Sequence, residues 1–185
     1  VMEKNVGIFN AQGTTLKSAK PTVKCLVIGN PANTNAAILA KVARGAVPAK
    51  SITALTRLDH NRAKSLAAST VGASVDEVEG VIIWGNHSST QYPDVRHATA
   101  QDKPILDAGN QAYFSMGVFS STYGYDETIC YSRPCVCVAG EWFVKEGLVI
   151  DAFSRNKMDA TAAELKDEPA LAMNLLKPAP YPVMQ

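Results

Sequence analysis

The run Thr22-Val23-Lys24-Cys25-Leu26-Val27-Ile28, followed by Gly29-Asn30-Pro31, constrains the fold more than any other part of the chain. β-Branched and apolar residues in close succession are the pattern of a strand buried on both faces, as in a parallel sheet. Gly29-Asn30-Pro31 stops such a strand, and Asn33-Thr34 offers cap chemistry for a helix over about 35–43 with Ile38, Leu39 and Val42 as its apolar stripe. Strand, tight polar turn and helix make one half of a βαβ unit. In open sheets of such units ligands bind at the carboxyl ends of strands, which is where Asn30 falls.

The flanking sequence extends this pattern. Residues 1–19 read as a helix with Val6, Ile8 and Phe9 on its buried side, ended by Pro21. A short strand is expected over 52–55, and Asp59 then caps a helix over 60–69, with Arg62 one turn along on the same face. Ser74 with Asp76-Glu77 marks a further helical turn. Val81-Ile82-Ile83-Trp84 is a second buried strand, which ends at Gly85-Asn86-His87. After Asp94 the character changes. Strand-like runs at 113–121, 135–138 and 142–144, with Gly and polar turns between, predict an antiparallel meander. Ser154 opens a terminal helix with Met158, Ala162 and Leu165 on one face; Pro169 either kinks it or starts a second piece ending near Leu176, and an irregular tail follows from Lys177.

At 185 residues the chain can bury a real core as one domain or two small ones, and 46% apolar with 19% charged residues is a globular composition. A net charge of +1 provides no field to gather polyanions, which argues against nucleic acid. The longest apolar runs are strand-length, so no membrane span is expected. No cleavable signal is visible at the start, and Val1 in place of an initiator Met suggests a processed or partial chain. Cys25, Cys130, Cys135 and Cys137 lack the paired spacing of zinc sites and have no His nearby; they read as packed thiols in a reducing compartment, with no metal.

The residues that carry chemistry are Asp59, Arg62 and His87. Histidine, whose ordinary pKa lies near ~6.5, suits the removal of a hydroxyl proton as hydride leaves carbon. A carboxylate on the far ring nitrogen fixes the tautomer, and Asp59 can supply it. Arg62 offers a two-pronged donor to a substrate carboxylate, and Asn30 can donate to the reacting oxygen. Hydride acceptance requires a nicotinamide, since no side chain provides it. Spacing alone favours plainer roles: Asp59 as a cap, and His87 as a satisfied surface or core residue. A serine nucleophile (Ser88 or Ser89 with His87 and Asp59) is weaker still, because no G-x-S-x-G elbow is present.

Longer motifs decide between these. Gly29-Asn30-Pro31-Ala32-Asn33-Thr34-Asn35, Leu55-Thr56-Arg57-Leu58-Asp59-His60-Asn61-Arg62-Ala63 and Ile83-Trp84-Gly85-Asn86-His87-Ser88-Ser89-Thr90-Gln91-Tyr92-Pro93-Asp94 closely resemble cytosolic-type members of the lactate/malate dehydrogenase family. The likeness continues through Phe114-Ser115-Met116-Gly117-Val118 and Phe153-Ser154-Arg155-Asn156-Lys157-Met158-Asp159.

The resemblance implies an α/β fold: the second half of a Rossmann parallel sheet (1–56), then an α+β catalytic domain with antiparallel strands and a C-terminal helix (57–185). It implies a cytoplasmic, homodimeric, NAD-dependent enzyme of the tricarboxylic acid cycle that interconverts malate and oxaloacetate. His87 matches the proton acceptor, Asp59 its orienting carboxylate and Arg62 the substrate-carboxylate arginine. Asn30 matches a residue touching both substrate and nicotinamide, and Asn5, Gln12, Ile28 and Gly29 match residues lining the NAD site. No G-x-G-x-x-G follows a strand, the first βαβ half and the arginine-bearing loop have no counterpart, and a further gap falls near 107–109. The parallel sheet is therefore expected to expose an unpaired apolar edge, and this chain alone is expected to be inactive. The alternatives are a relative acting on aromatic or other 2-oxo acids, and a non-catalytic fragment or interaction protein.

Overall fold

The computed structural model describes residues 2–101, 103–104 and 113–175. The chain opens with α1 (Met2–Leu16), β1 (Cys25–Val27), α2 (Ala32–Val42), β2 (Ile52–Ala54) and α3 (Arg57–Val71). Short strands follow: β3 (Val78–Glu79), β4 (Ile82–Trp84), β5 (Tyr92–Asp94), β6 (Thr99–Ala100) and β7 (Lys103–Pro104). Longer strands β8 (Phe114–Phe119), β9 (Cys130–Val138) and β10 (Glu141–Val144) lead into α4 (Ala152–Leu175).

The largest sheet has the order β1-β2-β8-β9-β10. β1 and β2 run parallel, with α2 as the crossover between them, and the remaining pairings are antiparallel. A parallel pair joined by a helix and extended by a meander is the expected α/β arrangement. The two portions meet at Ala54 and Gly117. A Cβ on Gly117 would fall 2.8 Å from the Ala54 Cβ and 3.3 Å from the Asn33 Nδ2, so only glycine lets the strands close there. β4 pairs with β5 and meets β9 through a bridge between Gly85 and Ser132. β3, β6 and β7 form a small separate sheet, so the polar stretch after Asp94 carries short strands that its composition did not announce.

Two apolar clusters hold these layers. Val27, Leu39, Ile52 and Ala54 pack between α2 and the sheet. Ile82, Trp84, Tyr131, Met158, Ala162 and Leu165 pack under α4, the last three as the stripe expected of the terminal helix. Each large apolar side chain fully removed from water there contributes about 1.5–3 kcal/mol before entropy is counted. α4 runs through Pro169 as one helix.

Several expectations need correction. β1 is shorter than its apolar run and is buried on one face only: Val27 is 4% exposed, whereas Leu26 is 51% and Ile28 64% exposed. Alternate residues of a strand face opposite ways, and α2 covers only the Val27 side. β1 is also one of the sheet's two outer strands, so among the described residues the open apolar edge foreseen from the sequence is present. Ile8 is exposed, because the inner face of α1 is the Val6, Phe9, Leu16 stripe and Ile8 lies off it. α2 starts at Ala32 without a side-chain cap, which leaves Asn33, Thr34 and Asn35 fully buried inside its first turn. Cys130 and Cys135 are packed thiols, but Cys25 is half-buried and Cys137 exposed. The expected gap near 107–109 and the tail from Lys177 lie outside the described residues.

Candidate functional site

α3 presents two of the three chemical residues. Thr56 precedes the helix but does not cap it; its hydroxyl lies 2.9 Å from the Ser132 hydroxyl instead. Asp59 is likewise no cap. It sits inside the first turn, at the positive end of the helix, with its side chain 4% exposed. Its Oδ1 accepts from Arg62 NH1 at 2.5 Å, one turn along the helix. The Arg62 side chain is 69% exposed and has no other hydrogen bond among the described residues, so the rest of its fork is free for a ligand.

His87 arrives from the end of β4. The chain turns at Gly85, where φ is +92° and a Cβ would fall 2.0 Å from the Thr161 Cγ2, so a side chain is excluded there. Beyond it, His87 Nδ1 lies 2.6 Å from Asp59 Oδ2. The approach is close but off the line of a well-directed hydrogen bond, and neither atom has another partner among the described residues. One carboxylate therefore serves both groups, Oδ1 to Arg62 and Oδ2 to His87. Nδ1 is buried while the ring is a quarter exposed, which leaves Nε2 for a ligand. A proton on Nδ1 facing Asp59 makes Nε2 the acceptor, as a base requires.

The remaining sequence candidates gather at the carboxyl end of β1. Ile28, Gly29 and Asn30 are exposed there. The Asn30 carbonyl accepts from Asn5 Nδ2 at 2.9 Å, and the Gly29 carbonyl from Asn35 Nδ2 at 2.9 Å. Gln12 and Ile28 line an open pocket between α1 and β1, with Leu26 beside them. No hydrogen bond joins the Asn30 side chain to His87, Asp59 or Arg62 among the described residues.

The link between the two groups is Asn33, which sequence reasoning treated only as a cap. It is fully buried; its Oδ1 accepts from the His87 backbone N–H at 3.0 Å, and its Nδ2 donates to the carbonyls of Cys130 (2.7 Å) and Gly85 (3.3 Å). Ser132 was also missed. Its Oγ donates to the Ile83 carbonyl at 2.6 Å while it meets Thr56, so it joins the start of α3 to β4. Thr161 and Glu164 on α4 bond the His87 loop. The available signal was a polar residue on an apolar helical stripe: Thr161 is fully buried between Met158 and Leu165. Ser88, weighed above as a nucleophile, has its hydroxyl committed to Glu164 at 2.6 Å.

His60 is adjacent in sequence but chemically separate. Burial, reinforced by the charges of Arg57 and Lys64, pushes its pKa down to about 4, so it is neutral near pH 7. Its Nδ1 lies 3.1 Å from the Ser115 Oγ, which accepts from the Ile83 N–H at 2.8 Å.

Comparison with known proteins identifies the family of the chain. The sequence matches the profile of the lactate/malate dehydrogenase alpha/beta C-terminal domain over residues 56–112 and 103–175. The cytoplasmic malate dehydrogenase of Zea mays is 40% identical over 232 aligned positions, covering 96% of this chain and 70% of that protein. The alignment is longer than the 185-residue chain, so the relative carries residues with no counterpart here. The two profile matches meet at 103–112, around the expected gap. Among solved structures, the malate dehydrogenase of Naegleria fowleri superposes with a TM-score of 0.85 at 32% identity, over 95% of this chain and 69% of that one. The lactate dehydrogenase of Trichomonas vaginalis in complex with NADH and oxamate gives 0.88 at 27% identity, over 95% and 70%. The chain belongs to the lactate/malate dehydrogenase family.

Proposed function

We propose that the protein is a cytoplasmic malate dehydrogenase, catalysing the reversible NAD-dependent oxidation of (S)-malate to oxaloacetate. The observation that carries the reading is the Asp59 carboxylate shared between His87 at 2.6 Å and Arg62 at 2.5 Å. In malate oxidation His87 Nε2 takes the hydroxyl proton, and Asp59 stabilises the imidazolium that forms. The free part of the Arg62 fork holds the substrate carboxylate beside the reacting carbon. Asn30 donates to the reacting oxygen.

A nicotinamide dinucleotide fits the carboxyl end of β1. Ile28 offers an exposed apolar surface, the Asn30 side-chain amide has no hydrogen bond among the described residues, and the pocket beside Gln12 continues along the strand. Asn5, Gln12, Ile28, Gly29 and Asn30 would hold it. Hydride acceptance is the chemistry such a group supplies when bound. In this reading residues 1–56 serve the dinucleotide and 57–185 the substrate, and the complete enzyme is a homodimer.

The test is NADH oxidation by the full-length protein with oxaloacetate or phenylpyruvate as acceptor. The reading predicts rapid consumption with oxaloacetate. Preference for phenylpyruvate would move the enzyme to an aromatic 2-oxo acid, and no turnover with either would refute it.

A further inference from the structure

The loop that carries His87 is tied to α4 by more hydrogen bonds than its own turn requires. The Asn86 backbone N–H donates to Thr161 Oγ1 at 2.8 Å. The Ser88 hydroxyl donates to Glu164 Oε2 at 2.6 Å. The Thr90 hydroxyl bonds both Thr161 Oγ1, at 3.0 Å, and Glu164. Residues 86 and 88, on either side of His87, thus end on two α4 side chains three residues apart, which is the spacing of one helical face. The Asn86 amide group is buried beside the Glu164 carboxylate but makes no well-directed hydrogen bond among the described residues, so the directed anchor at that point is the backbone bond to Thr161.

α4 is a firm support. Met158, Ala162 and Leu165 fix it in the core, and Thr161 is itself fully buried against Gly85. Glu164 is half-buried; burial pushes its carboxyl up, but the Ser88 and Thr90 hydroxyls more than offset this and keep it below the ordinary range. The ionised form accepts both hydroxyl protons at once.

We infer that Glu164 and Thr161 are positioning residues for His87, acting through the loop 85–90 to hold the imidazole against Asp59. The inference rests on His87 being the proton acceptor. Positioning matters because a base displaced by about 1 Å loses on the order of 10²-fold in rate. Among the described residues Glu164 makes no hydrogen bond or ion pair with Asp59, Arg62 or the β1 end, so its removal acts on the proton-transfer geometry and leaves carboxylate binding by Arg62 in place.

The experiment uses the full-length protein with Glu164→Ala, Glu164→Gln, Ser88→Ala and the Ser88→Ala/Glu164→Ala pair. Glu164→Ala is expected to lower kcat about 10-fold with little change in KM for oxaloacetate. Glu164→Gln, which keeps an acceptor oxygen, restores most of the rate. The double variant is no slower than the slower single one, because both remove one shared bond. Amide exchange over 86–90 rises in Glu164→Ala. Wild-type kcat and exchange in Glu164→Ala would overturn the inference, as would kcat, KM and Tm all worsening together without recovery in Glu164→Gln. A wild-type protein that fails to reduce oxaloacetate sinks the functional reading alone, since amide exchange still decides whether Glu164 holds the loop.

Discussion

The two ends of the candidate site are built in opposite ways. Around Asp59 and His87, polar groups are enclosed and tied to distant elements: Asn33 from α2, Ser132 and Thr56 across β9, and Thr161 and Glu164 from α4. At the carboxyl end of β1, Ile28, Gly29 and Asn30 are exposed, Leu26 is half-exposed on a strand paired on one side only, and the side-chain hydrogen bonds among the described residues end on the Gly29 and Asn30 backbone carbonyls. The enclosed end is organised before a ligand arrives, as general-base chemistry demands. The open end is an apolar edge that needs covering. In the proposed function, proton chemistry thus falls to an enclosed, hydrogen-bonded region and dinucleotide binding to an exposed one.

The strongest way to break this comparison is to empty the enclosed end. His87→Ala is expected to lower malate oxidation by about 10²- to 10⁴-fold, the range of a lost general base; a near-normal rate in steady-state assays would remove the base assignment. The enclosed end should also be acid-sensitive through His60. Folded His60 has its pKa pushed to about 4 against 6.5 ordinarily, so between those values the unfolded chain binds more protons. Its contribution is complete above about pH 6.5 and is lost as pH falls towards about 4, up to about 3 kcal/mol. Urea unfolding at pH 7 and pH 4.5 measures this, and His60→Gln should flatten the difference.

Arg62→Ala tests the rim of that end. Loss of a charge-assisted bond of about 1.5–3 kcal/mol predicts roughly 10- to 100-fold lower kcat/KM, mainly through KM. The smallest effect belongs to the open end. Leu26→Lys on the exposed face of β1 should change unfolding free energy by less than about 0.5 kcal/mol and reduce aggregation seen by light scattering.

Much of the architecture was legible because local pattern and burial coincide. The parallel β1–α2–β2 unit, the meander β8–β9–β10 and the Met158, Ala162, Leu165 face of α4 follow from periodicity and turn residues. Asp59, Arg62 and His87 could be named, but their meeting could not be read from spacing, which favoured a cap and a bystander histidine. The hydrogen bonds that close the site join residues far apart in sequence, such as Asn86 with Thr161 and Ser88 with Glu164. A hydroxyl's partner over such distances is set by packing of whole elements, which no local pattern encodes. The same limit explains β1: an apolar run reports burial in general, not which face a neighbouring helix covers.

Asp59→Asn tests the shared carboxylate most directly, because it preserves shape while removing the charge and one of the two acceptor oxygens between His87 and Arg62. Steady-state turnover of malate by the full-length protein should fall by about 10²-fold or more with the fold intact by circular dichroism. Turnover within about twofold of wild type would contradict the assignment of Asp59 as the group that orients and stabilises the base.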